Sequence, residues 1–332
     1  MTSQIPVDEL ATAAAPLPKL SIVVPAFNEE KNLPFLLERL KAVMADIPAS
    51  WECVIVDDHS TDGTFELLAK VAAEDARVRV IRLARNHGSF PAITCAFHHV
   101  TGDAAVVLAA DMQDPPELIR SLFDHWRQGS DVVWACRAKR EGESAATIVF
   151  SKMYYFIMRK VAGIKELSAT GADFFLIGRA VISALNESTE RNMSLIPMIS
   201  WMGFSQTKVY YDKQARLHGK SGWTLARKVK LLKDSLTSFT FLPIRVLSAV
   251  GVVIALCGLG FAGYVVWGAL FGKRVEGYPS LMVAILVLGG MQMMMLGTLG
   301  EYVWRTYDEA RGRPRFIIQQ TLNLPRERPT SR

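Results

Sequence analysis

Residues 20–57 read LSIVVPAFNEEKNLPFLLERLKAVMADIPASWECVIVD, and this stretch decides the fold. Two short apolar runs, Leu20–Pro25 and Cys53–Asp57, flank a segment in which Leu33, Leu36, Leu37 and Leu40 recur at helical spacing. Runs so short and continuous fit strands buried on both faces. Strand, helix, strand at this rhythm predicts parallel neighbours with helices laid over the sheet. The pattern repeats at Val78–Leu83, Ala104–Ala109 and Val132–Cys136, so the class is α/β with a mostly parallel sheet, spanning residues 19–211. In such sheets ligands bind beyond the carboxyl ends of the strands, and the residues directly after each strand are the ones to inspect.

The rest of the chain is different material. Of its 332 residues 50% are hydrophobic and 21% charged, too apolar a balance for disorder, and the apolar excess is local. Val246 to Gly272 and Gly277 to Gly300 carry no charge. At about 1.5 Å rise per residue, either crosses a hydrocarbon layer of about 30 Å. The link Lys273-Arg274-Val275-Glu276 allows only a hairpin, which predicts two transmembrane helices within residues 243–304. Arg227, Lys228, Lys230, Lys233 and Arg245 precede them and Arg305, Arg311, Arg313 and Arg315 come after, against Lys273 and Arg274 between. That asymmetry predicts an integral membrane protein with its α/β domain and both termini in the cytoplasm.

Residues 212–242 read as a basic linker and an amphipathic helix. Leu225, Val229, Leu232 and Leu236 fall on one side and basic residues on the other, as in a helix lying among lipid headgroups. Residues 1–18 lack Lys and Arg and read as a flexible tail rather than a signal peptide; residues 305–332 read as a cytoplasmic tail. Cys53, Cys95, Cys136 and Cys257 lack the spacing of a zinc site or a disulfide framework.

After the first strand comes Pro25-Ala26-Phe27-Asn28-Glu29-Glu30, where Asn28 has the character of a helix cap and the two acids suit a helix's positive end. After the second comes Asp57-Asp58-His59-Ser60-Thr61-Asp62-Gly63. Adjacent carboxylates at a strand end are costly unless hydrogen-bond donors or positive charge face them, and a nucleoside offers such donors. After the fourth comes Asp111-Met112-Gln113-Asp114-Pro115-Pro116-Glu117. Asp114, Pro115 and Glu117 have the form of an N-cap, a first-turn proline and a capping box. Asp111 has no such duty; with Gln113 beside it, it offers oxygen ligands to a hard divalent cation that also holds substrate phosphates. No GxGxxG or GxxxxGK[ST] comes after any of these strands, which argues against a dinucleotide fingerprint or a P-loop.

The strings VPAFNEE (24–30), VIVDDHSTDGT (54–64), AADMQDPPE (109–117) and RLHGKSGWT (216–224), in that order and succeeded by the two apolar stretches, resemble the inverting glycosyltransferase family 2. The resemblance is to its branch making polyprenyl-phosphate sugars, akin to dolichol-phosphate mannose synthase. It implies a GT-A fold, a nucleotide-sugar donor and a membrane polyprenyl phosphate of undecaprenyl or dolichyl type as acceptor. Pro25, Phe27 and Glu29 would then line the nucleotide, and Asp57, with Asp58 beside it, would bond the base or ribose. Asp111 and Gln113 would hold Mg²⁺ or Mn²⁺ against the diphosphate, and Asp173, in a stretch similar to the family's acceptor-side loop, would orient sugar hydroxyls or an arginine. The chain departs from the pattern at Ala109, where relatives often carry a further aspartate, at Phe27 in place of tyrosine, at His59 where glycine is frequent, and at Gly222-Trp223.

A phosphate monoester with a second pKa of about 6 is already an anion at neutral pH, so such a transfer needs cations more than a base. Arg137 and Arg140 after the fifth strand, and Arg216, Lys220 and Ser221 before the amphipathic helix, are the candidates. The net charge, 38 − 32 = +6, suits phosphate or an anionic membrane face. The expected partners are the nucleotide-sugar donor, polyprenyl phosphate and the lipid bilayer, with a homo-oligomer left open. Nucleic acid is not among them, since the α/β part has no interleaved basic and aromatic stripe. Two alternatives stand beside this reading: a GT-A enzyme acting on another lipid acceptor, and a catalytically idle, membrane-anchored nucleotide-sugar binder.

Overall fold

The computed structural model describes residues 17–138, 154–156, 158–160, 163, 174–188, 190, 194–212, 240, 242–271 and 277–324. The predicted strand and helix alternation is present: β1 (Lys19–Ala26), α1 (Leu33–Ala45), β2 (Ser50–Asp57), α2 (Thr64–Glu74), β3 (Val78–Leu83), α3 (Ser89–His99), β4 (Ala104–Val107), α4 (Leu118–Arg127) and β5 (Val132–Arg137). Three further strands were not singled out by the sequence patterns: β6 (Phe174–Gly178), β7 (Gln206–Tyr211) and β8 (Ile318–Leu322). Between them lie α5 (Arg179–Glu187), α6 (Leu195–Trp201), and two long helices, α7 (Leu242–Leu270) and α8 (Tyr278–Ala310).

All eight strands form one sheet in the order β7-β5-β6-β4-β1-β2-β3-β8. β1 pairs in parallel with β2 and β4, and β2 with β3; β6 runs antiparallel between β4 and β5, which points β5 the same way as β4. The apolar runs are continuous because both faces are covered. Leu20, Ile22 and Val24 join the cluster under α1, α2 and α4, while Val23, with Ala105 and Val107 of β4, joins the cluster under α3, α5 and α6. Helix α1 buries Leu33, Leu36, Leu37, Leu40 and Met44, the stripe its spacing predicts.

The order matters for the site. From β1 the chain steps outward to β2 and β3, then returns across the sheet through α3 to place β4 on the other side of β1. This reversal between β1 and β4 is a topological switch point, where loops lead away in opposite directions and leave a crevice. Pairing between the two strands ends at Val23 and Val107. The Val23 carbonyl accepts the Leu108 amide while the Ala26 carbonyl accepts the Asp58 amide, so alternate residues of β1 turn to β4 and to β2. Pro25 turns to the β4 side, beyond the end of β4, so its missing N–H costs no ladder bond.

Strand β4 therefore stops two residues short of the predicted Ala104–Ala109. Helix α4 likewise starts late. Pro115 precedes Pro116, which disfavours helical dihedrals at Pro115, and the regular helix opens at Leu118 with Glu117 at the cap. Asp114 is not the N-cap, and the Glu117 carboxylate pairs with Arg39 of α1 at 2.7 Å instead of closing a capping box. Asn28 does not cap α1 either; Asn32 holds the N-cap position without a side-chain cap bond, and Pro34 sits in the first turn.

At the amino edge of the sheet, opposite the crevice, Glu52 is buried and heavily bonded. It accepts the Ser21 hydroxyl at 2.7 Å and the Thr101 amide at 2.6 Å, and pairs with Lys19 and Arg79, each at 2.8 Å. Burial alone would raise its carboxyl; the Lys19 ammonium, the Thr101 amide and the two hydroxyls outweigh that and bring it down to about 2.

Among the described residues one segment, Ile244–Gly268 of α7, is long and apolar enough to cross a membrane. The predicted second span, residues 277–300, lies in α8, which packs against α7: a Cβ added at Gly251 would come within 2.7 Å of Met295 Cε. The amphipathic helix predicted within 212–242 and most of the N-terminal tail fall outside the described residues. The stretch read as a tail from residue 305 carries the end of α8 and then β8, which pairs antiparallel with β3.

Candidate active site

The loops after β1, β2 and β4 converge on the crevice, and each contains a non-glycine residue in the left-handed region: Asn28 (φ 57°), His59 (φ 62°) and Met112 (φ 61°). Such backbone is uncommon outside glycine and is held by its surroundings. Here the first two loops hold each other. The Ser60 hydroxyl accepts the Asn28 amide at 2.9 Å, the Asn28 side-chain carbonyl accepts the Thr61 amide at 2.8 Å, and the Thr64 hydroxyl accepts the Glu29 amide at 2.9 Å. The Gly63 amide donates to Glu30 at 3.2 Å. Phe27 stands at the tip, 44% exposed, an aromatic face at the mouth of the crevice.

The two adjacent carboxylates have different partners. Asp58 accepts the His87 amide and the Gly88 amide, one on each oxygen and both at 2.7 Å, so it fastens the loop after β3. Burial pushes the Asp58 carboxyl above its ordinary value, opposed by these two amides. Asp57 is fully buried; one oxygen accepts the Ser60 amide at 3.0 Å and the other lies 3.5 Å from Arg82 Nε. The Arg82 guanidinium lies 4.5 Å from the Phe65 ring centroid and donates to the Ser60 carbonyl at 3.3 Å.

On the other side of the switch point, Asp111 is partly exposed and accepts the Gln113 amide at 3.2 Å, so both residues share one turn. Asp114 is buried and accepts the Tyr211 hydroxyl from the end of β7, which ties this loop across the mouth of β6. Arg137 closes β5 opposite Tyr211, on the same edge. The structure thus brings Pro25, Phe27, Glu29, Asp57, Asp58, Asp111, Gln113 and Arg137 to one edge of the sheet. Arg140, Asp173, Arg216, Lys220 and Ser221 lie outside the described residues; Phe174, next after Asp173, opens β6 at this edge. Among the described residues no group of three or more His, Cys, Asp or Glu is placed to hold a metal. A cation that takes its remaining ligands from substrate phosphates and water needs only one or two carboxylates, and the Asp111 carboxylate with the Gln113 side-chain carbonyl fits that donor set.

Arg82, His87 and Gly88 were not among the sequence candidates. The signal was Arg85-Asn86-His87-Gly88 directly after a predicted strand, a turn whose glycine adopts φ 94°.

The family model for glycosyl transferase family 2 matches residues 21–185. A protein of Synechocystis sp. described as an uncharacterized glycosyltransferase is 36% identical over 92% of this chain and 96% of its own. The prophage bactoprenol glucosyl transferase homolog of Escherichia coli is 34% identical over 91% of this chain and 99% of its own. In fold, the crystal structure of mannosyl-3-phosphoglycerate synthase from Rubrobacter xylanophilus superposes with a TM-score of 0.50 at 17% identity, covering 67% of this chain and 74% of that one. With near full-length similarity to glycosyltransferases and the GT-A arrangement of strands and loops, the chain belongs to glycosyl transferase family 2.

Proposed function

We propose that this glycosyltransferase moves a sugar from a nucleotide-sugar donor to a membrane polyprenyl phosphate, giving a polyprenyl-phosphate sugar at the cytoplasmic face of the membrane. The observation that carries the reading is Asp111 after β4 at the β1/β4 switch point, on the same edge of the sheet as the loops of Phe27 and Asp57. The acceptor class is supported by the relatives named bactoprenol glucosyl transferase. A lipid phosphate oxygen attacks the anomeric carbon as the bond from that carbon to the nucleoside diphosphate breaks, with inversion. The attacking group is already ionised, so the protein's work is to orient it and to stabilise charge gathering on the leaving diphosphate. Phe27 offers a face for the base, with Pro25 and Glu29 lining the nucleotide, and Asp57 an acceptor for base or ribose. Mg²⁺ or Mn²⁺ held by Asp111 and Gln113 would supply Lewis-acid stabilisation of the diphosphate. Arg137 stands on the acceptor side, where Arg140, Asp173, Arg216, Lys220 and Ser221 would complete the site for lipid phosphate and sugar.

Both long helices are read as spans. This is supported by β8: the chain leaves the sheet at Tyr211 and rejoins it at Ile318, so a crossing by α7 requires a return by α8. The test is transfer of label from a panel of nucleotide sugars to extracted lipid, with undecaprenyl or dolichyl phosphate, diacylglycerol or ceramide as acceptor and with Mg²⁺ or Mn²⁺. Label on the polyprenyl phosphate is expected. Label only on a neutral lipid, or on none, rejects the reading.

A further inference from the structure

We propose that strand β8, delivered by the end of the membrane helix α8, positions the donor side of the active site through a bulge opposite the end of β3. The inference rests on the proposed donor site. β8 pairs Leu322, Thr321 and Gln320 with Val80, Ile81 and Arg82 in turn, then skips a residue, so that Ile318 lies opposite Leu83. Gln319 is the extra residue. A bulge bends its strand and re-aims the side chains beside it, and this one falls where the end of β3 meets the crevice loops.

Arg82, opposite the bulge, reaches Asp57 at 3.5 Å. The Leu83 carbonyl lies 3.1 Å from His59 Nδ1, beside the left-handed turn of the second loop. The Ala84 amide donates to the Ile317 carbonyl at 2.8 Å, and three residues on, the His87 and Gly88 amides are held by Asp58. The loop 84–88 is thus fastened at one end by the membrane-derived strand and at the other by the carboxylate adjoining Asp57, with Arg85 and Asn86 exposed between. Side-chain packing acts with the backbone here, since Leu83 is buried in the cluster against which Phe90, Phe316 and Ile318 pack. A cavity of about 280 Å³, lined among others by Arg85, Phe90, Thr94, Asp308, Arg313 and Arg315, lies between Arg85 with α3 and the segment leaving α8. Backbone pairing to β8, together with this packing, fixes where Arg82 and the loop stand relative to the nucleotide.

The far end of the same strand supplies a control. The Asn323 side chain donates to the Val78 carbonyl at 2.9 Å and to the Ala72 carbonyl, at the other end of β3 from the crevice. Steady-state kinetics on the full chain in lipid nanodiscs should separate the two ends. Deleting Gln319, which keeps Gln320 opposite Arg82 and Ile318 opposite Leu83 but removes the bulge between them, is expected to raise donor KM about tenfold with acceptor KM and kcat within about twofold. Asn323→Ala is expected to lower thermal stability and leave both KM values unchanged. Donor KM unmoved by the deletion, or both KM values rising together, overturns the proposal. Should the deletion variant not accumulate, hydrogen exchange on the wild-type protein with UDP, GDP, ADP and TDP decides. Amides of 84–88 and 318–322 should slow together with those of 57–64; slowing of 57–64 alone overturns the role of β8. No slowing at this edge with any nucleotide overturns the donor reading, and this inference with it.

Discussion

Asp111 and Asp58 illustrate how differently two carboxylates of one crevice are used. Asp111 is partly exposed at its mouth and accepts the Gln113 amide of its own turn, a bond that an asparagine of the same shape can still accept. Asp111→Asn should lower transfer by about 10²–10³-fold, with Tm within a degree or two of wild type, when label incorporation and thermal unfolding are measured side by side. Asp58 was legible as one of a costly pair but not as the anchor of a loop, because its partners are backbone amides some 30 residues away that no side-chain pattern announces. Glu52 is the opposite case, a buried carboxylate in the middle of an apolar run, remote from the crevice. Its folded value of about 2 lies below its ordinary 4.5, so the stabilisation, about 3 kcal/mol, is complete above pH 4.5 and is lost as pH falls toward 2. Denaturant titrations from pH 6 to pH 3 should show that acid-dependent loss in wild type and a flatter profile in Glu52→Gln, which starts less stable.

At the level of elements, the five strands read from sequence all have both faces covered by helices, as β6 also has, and such burial leaves an unbroken apolar run. β7 and β8 are edge strands, QTKVYY and IQQTL, largely polar or half-exposed along their length, and so carry no such run. β6 is as apolar as any, FFLIG, but its antiparallel direction depends on the long excursion that precedes it, which has no local signature. The late start of α4 comes from adjacent prolines, a restriction that a capping-box spacing alone does not register. The helix pair makes its own prediction. Gly251 lies against Met295, whereas a Cβ at Gly258 would meet nothing within 4 Å. Because the Met295 methyl is the end of a flexible side chain and can swing aside, Gly251→Leu should destabilise the pair modestly, by about 1 kcal/mol, read as a lower unfolding temperature in detergent, and Gly258→Leu should leave it unchanged.

For the whole molecule, one sheet holds strands from both sides of the long helices, and that sets the parity of any crossing. Membrane-impermeant maleimide applied to intact cells should label a single cysteine placed at residue 274 and spare one placed at residue 320; equal labelling of the two would contradict the paired spans. The same connectivity governs biogenesis. Translation proceeds from the amino terminus, so β3 emerges with one edge bare and waits for its partner until more than two hundred further residues, both long helices among them, have left the ribosome. A nascent chain stalled before β8 is made would leave that edge of β3, beside the proposed donor cleft, without its partner strand.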